Sequence, residues 1–152
     1  MECRAAVRVL RLILLITALT AVLPARGADR AVVLVVSAAS PVVGLDSIEV
    51  RKLFLGIPVM TAGRALHPVN NFSDERLRQI FLQQVVAMSQ WAYDRRILSQ
   101  VLREGRPRPL ELTSPSGLLR TLQADPGAVS FAWRGDVAGN PQIKILRVLW
   151  EE

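Results

Sequence analysis

Ala31-Val32-Val33-Leu34-Val35-Val36 decides the class of fold. Its six residues are apolar and mostly β-branched, with no polar face, so the run is expected to be a strand buried on both sides. Ser37-Ala38-Ala39-Ser40-Pro41 ends it. A helix is expected to start at Asp46, with Glu49 three residues on in a variant of the capping box. Ile48, Leu53 and Phe54 would form its apolar side, and Gly56 would stop it. Residues 57–60 suit a short strand before a turn at Thr61-Ala62-Gly63, and residues 65–70 suit a second strand. Ser73 is placed to cap the next helix, whose first turn carries Asp74 and Glu75 as the macrodipole favours. Leu77, Phe81, Val85 and Met88 recur at spacings that face a core. A third helix is expected from Ser89 through Trp91, Ile97, Val101 and Leu102 to Gly105. Arg106-Pro107-Arg108-Pro109 follows as an extended linker, because each proline restricts itself and its predecessor. Residues 116–124 are expected to be helical, Asp125-Pro126-Gly127 a turn, and 128–133 a strand. A loop at 135–141 then leads to a last strand at 143–149. Strands alternating with helices imply an α/β layer fold, a mostly parallel sheet flanked by helices, with Phe54, Phe81 and Phe131 in its core.

Upstream of the first strand the chain changes character. Arg4, Arg8 and Arg11 precede an apolar run from Leu12 to Leu23, broken only by Thr17 and Thr20, and Pro24-Ala25-Arg26-Gly27 follows. Positive charge, apolar run and small residues occur in the order of a secretory signal peptide, residues 1–27, with an uncleaved anchor as the alternative. The run of 12 residues is short of the ~20 that a spanning helix needs. Cys3 is the single cysteine and precedes that run, so it is not a lipobox cysteine, and the exported chain has no thiol for a disulfide or a metal. Removing residues 1–27 leaves 15 basic and 12 acidic residues of the original 19 and 13. The remaining excess is mild and indicates no partner, and export argues against nucleic acid. Residues 28–152 suffice for one domain. Exported protein should begin at Ala28, since Ala25 and Gly27 are small at the third and first positions before that cut. Cleavage after Ala25 is the runner-up. N-terminal sequencing decides between them, and a soluble form beginning at Met1 would remove the signal peptide altogether.

Catalysis finds few groups to work with. His67 is the single histidine, so no two-histidine metal site can form. No G-x-S-x-G elbow, G-x-G-x-x-G fingerprint or P-loop occurs, and neither an enzyme activity nor a cofactor is expected. Arg95, Arg96, Arg103, Arg106 and Arg108 gather on the third helix and its linker, either as a solvated face or as a docking patch for an anion or partner. Trp91 and Tyr93 lie two apart and cannot share a helical stripe, so one belongs to the core and the other to the surface. Asn70-Asn71-Phe72-Ser73-Asp74-Glu75-Arg76 is a strand-to-helix turn. There, free N–H groups and neutral polar side chains can meet a small ligand, with Arg78 a turn further on. Its plainer reading is an ordinary helix cap.

Residues 44–56, ending Leu53-Phe54-Leu55-Gly56, resemble the helix and F-L-G segment of the phosphate-binding proteins of ABC transporters, in the type 2 periplasmic-binding superfamily. His67-Pro68-Val69-Asn70 resembles the strand entering that family's ligand turn, and Leu77-Arg78-Gln79-Ile80-Phe81 the helix after it. Asp125-Pro126-Gly127-Ala128-Val129-Ser130-Phe131 resembles its P-G-A-I-G-Y turn and strand. The resemblance implies a single periplasmic-binding-protein-like lobe over residues 28–152, where family members that bind phosphate have two. The candidate ligand-binding set is Ser40, Asn70, Asn71, Ser73 and Arg78. The family's turn reads R-x-D-G-S-G-T. Counting back from Phe81 sets Asn71 and Ser73 on its arginine and aspartate, and Glu75, Arg76 and Leu77 on its serine, glycine and threonine. A carboxylate a few ångströms from an anion costs on the order of 1–4 kcal/mol, depending on the local dielectric. Two functions are therefore expected to compete. One is an exported, periplasmic solute-binding-like protein with weak or altered affinity for a small anion such as phosphate. The other is a non-enzymatic interaction or regulatory module that contacts a membrane sensor or transporter.

Overall fold

The computed structural model describes residues 30–152, and the expected signal peptide at 1–27 lies outside the described residues. Strand β1 (Ala31–Ser37) is buried along its whole length. It lies between β6 (Ala128–Trp133) and β7 (Ile143–Glu151), antiparallel to both. Strand β4 (His67–Asn71) pairs parallel with β6 on one side and with β5 (Leu110–Leu112) on the other. The five-stranded order is β5-β4-β6-β1-β7. Four of these strands run one way and β1 alone runs against them, so the sheet is mostly parallel in direction. A separate hairpin joins β2 (Met60–Thr61) to β3 (Arg64–Ala65) through Ala62 and Gly63, both at positive φ as a tight hairpin turn of the primed type requires.

Helices on both faces explain why β1 has no polar side. Successive side chains of a strand point to opposite faces. Val32, Leu34 and Val36 join Phe54, Phe81, Tyr93 and Phe131 in one core, while Val33 and Val35 join Leu118, Leu122 and Val137 in another. The first core is covered by α1 (Ser47–Phe54), α2 (Glu75–Ile80) with its π-helical continuation (Phe81–Val86), and α3 (Gln90–Glu104). The second is covered by α4 (Ser116–Ala124) and the short α5 (Arg134–Val137). Phe54, Phe81 and Phe131 are fully buried, as expected.

Local chemistry sets most of the element ends. Asp46 accepts from the Glu49 N–H and Glu49 returns the bond to the Asp46 N–H, completing a capping box. Gly56 leaves α1 at φ +76, a left-handed conformation that a side chain strains. Ser89 caps α3, Gly105 closes it in the left-handed region, and Tyr93 is its core aromatic while Trp91 is exposed.

Several expectations need correction. Ile48 is 65% exposed, because at 100° per residue it lies opposite the buried Val50, Leu53 and Phe54. Asp74, not Ser73, caps α2, since the Ser73 hydroxyl is already committed to Asn71. No strand covers all of 57–60 or 65–70: the hairpin takes Met60 and Ala65, and β4 begins at His67. Strand β5 was not anticipated, the loop at 135–141 contains part of α5, and β7 extends to Glu151.

Candidate functional site

The turn after β4 is built from its own side chains. Asn70 is buried and donates from Nδ2 to the Tyr93 hydroxyl at 3.0 Å. That hydroxyl donates in turn to the Phe54 carbonyl at 3.1 Å, tying the end of β4 to α3 and α1. Asn71, also buried, donates to the Phe131 carbonyl at 3.0 Å, and its Oδ1 accepts from the Ser73 hydroxyl at 2.7 Å. Asp74 accepts from the Leu77 N–H at 2.7 Å. Each of these groups takes part in ordering the turn.

The charged residues are likewise engaged. Arg78 donates to the Glu75 carboxylate at 2.5 Å, and Gln79 reaches the same carboxylate at 3.2 Å. The hydrogen bonds from Arg78 and Gln79 hold the Glu75 carboxyl below its usual range, so it stays ionised beside the turn. Arg76 pairs with Glu152 at 2.9 Å, with its guanidinium 5.9 Å from the centre of the Trp150 ring. The spacing of Glu75 and Arg78, three apart on one helix, is the sequence signal that could have revealed this pairing.

Of the expected ligand set, Asn71 and Ser73 bond to each other in the turn, Asn70 bonds to Tyr93, Arg78 bonds to Glu75 on the following helix, and Ser40 lies elsewhere. Because β1 runs against its neighbours, its end at Ser37 lies level with the beginnings of β4 and β6, where His67 pairs with Ala128. The continuing register puts Asn71 four residues further along the sheet, on the order of 13 Å away. Ser40 is buried there, with its hydroxyl accepting from the Val42 N–H and its carbonyl from Lys144.

At that same opposite end, sequence reasoning missed two features. His67 and Asp125 are paired at 2.5 Å between β4 and the turn after α4. Burial opposes ionisation of Asp125, but the hydrogen bonds from His67 and the Gly127 N–H outweigh it and keep the carboxyl below its usual range. Beside this pair opens a cleft of about 840 Å³ between the starts of β4 and β5, α3, α4 and the linker Arg106-Pro107-Arg108-Pro109. The proline-stiffened linker, standing off the sheet, was the one sequence hint of it. Among the described residues no cluster of histidine, cysteine and carboxylates could hold a metal ion.

No protein-family model and no curated protein matches the chain. Among solved structures, it is similar to an ABC-type phosphate transport receptor from Vibrio cholerae, with a TM-score of 0.55 and 15% identity. The match covers 77% of this chain and 45% of that receptor, so the chain spans less than half of the receptor's length. The likeness shows the fold. This is a periplasmic-binding-protein-like α/β arrangement, its mostly parallel sheet flanked by helices on both faces.

Proposed function

We propose that the chain is an exported, non-catalytic solute-binding-type lobe whose phosphate-like turn is closed by its own side chains. The Glu75 carboxylate on Arg78 carries this reading. It occupies the nearby cation and sets a negative charge where an anion would approach. The similar protein is a phosphate transport receptor, which makes a small anion the relevant ligand class to test. Replacing Glu75 with serine and Arg76 with glycine frees Arg78 and restores part of the family pattern. The Arg76–Glu152 pair that is lost is exposed and screened by solvent, so the fold should survive. Phosphate should bind the double variant at least about tenfold tighter than wild type, a gain of roughly 1.4 kcal/mol, measured by titration calorimetry. Equal affinities would refute the role given to Glu75.

A second reading, a module that contacts a membrane sensor or transporter, is favoured by the outer face of α3. Trp91, Leu98 and Leu102 are exposed there, at 69%, 54% and 75%. The Arg95 guanidinium lies over the Trp91 ring, 5.2 Å from its centre, on the same side of the helix. Such a surface fits an acidic patch with an apolar centre on the partner. A photo-crosslinker at position 98 should then trap the same transporter or sensor repeatedly in intact cells, and an additional Arg95→Glu exchange should abolish the adduct. An adduct indifferent to that exchange contradicts this reading.

A further inference from the structure

The cleft of about 840 Å³ lies at the opposite end of the sheet from the candidate turn, against the starts of β4, β5 and β6. Its volume falls within the roughly 300–1,000 Å³ typical of small-molecule sites. Leu53, Leu66, Val69 and Ile97 give it an apolar interior, and Leu110, itself 52% exposed, extends the apolar surface to the edge of the sheet. Polar character is confined to a few side chains. Three arginines line the cleft, Arg106, Arg108 and Arg120, against one carboxylate, Asp125.

These charges are unequally free. Asp125 is held by His67 and the Gly127 N–H. Arg106 is tied to Glu104 at 2.7 Å and to the Gly56 carbonyl at 2.6 Å, which fixes the linker to the end of α1. Arg108 has only a loose partner, Glu111 at 3.6 Å. Arg120 is exposed and makes no ion pair among the described residues. An apolar interior edged by two under-neutralised guanidiniums discriminates in two ways: water leaves the interior favourably when apolar surface fills it, and the guanidiniums select an anionic end.

We propose that this cleft binds an anionic amphiphile, a molecule with an apolar body and a single carboxylate-like head, with the body against Leu66, Val69 and Ile97 and the head at Arg108 and Arg120. The site is separate from the phosphate-like turn, so it stands or falls independently of the function proposed above.

Dodecanoate, dodecanol and dodecyltrimethylammonium share a chain and differ in head charge, so titrating each into the wild-type protein below its aggregation concentration separates the two contributions. Dodecanoate should bind at least about tenfold tighter than the alcohol, and the cation weakest. The double exchange Arg108→Gln and Arg120→Gln should bring dodecanoate to the level of dodecanol while leaving dodecanol unchanged. Ala124→Trp, at an exposed position on the cleft wall, should abolish binding of all three without lowering the melting temperature. Failure of dodecanoate to bind, equal binding of all three heads, or binding that survives Ala124→Trp in a folded protein would each overturn the proposal.

Discussion

Phe81→Ala should destabilise the protein by about 3–5 kcal/mol, lowering its melting temperature by roughly 10–20 °C. Phe81 is fully buried and is the hub of the aromatic core. Its ring stacks on Phe131 with centroids 4.4 Å apart and meets Phe54, Phe72 and Tyr93 edge-on at 5.2, 5.8 and 5.6 Å. Truncation therefore removes buried apolar surface and four aromatic contacts at once. The hole would open between α1, α3 and the sheet, elements that cannot all close inward together. Thermal unfolding followed by circular dichroism measures the effect, and an unchanged midpoint would show that the core is not organised around this ring.

Tyr93 should produce the second large effect, with a pH dependence as its signature. Burial, the largest influence, pushes its phenol up to about 12 from the ordinary 10.0. A group whose pKa is raised by folding stabilises the protein fully below its unfolded pKa, and that contribution is lost as pH rises through the folded one. Here the window runs from pH 10 to about 12. The amount at stake is on the order of 2–3 kcal/mol. Tyr93→Phe should cost about 1–3 kcal/mol at pH 7, because the buried Asn70 amide and the Phe54 carbonyl lose their shared partner. The gap between wild type and variant should then shrink as pH climbs above 10. Urea titrations of both proteins across that range test this, and a gap that stays constant contradicts the buried, protonated phenol.

The two cores trace back to particular residues in the sequence. The unbroken apolar run of β1 already demanded cover on two faces, and the helices supply it. The ends of α4 and β6 were legible because Asp125-Pro126-Gly127 separates them with strong turn chemistry. Strand β5 was hidden because its three residues follow a proline pair and carry no periodicity of their own. The direction of β1 was also hidden: both of its partners come much later in the chain, and only their pairing shows that Ser40 lies away from the turn. Within the candidate site, the turn itself was visible in Asn70-Asn71-Phe72-Ser73-Asp74. The Asn70–Tyr93 bond was not, since it joins residues 23 apart through tertiary packing alone.

On the function proposed, the chain's own groups close the turn after β4 against phosphate. Titrating phosphate into the wild-type protein, with heat as the readout, is the direct test. With Glu75 on Arg78 and both asparagines committed inside the fold, the dissociation constant should be no tighter than about 1 mM, roughly −4 kcal/mol. A micromolar constant would contradict a closed turn and make it a working phosphate site.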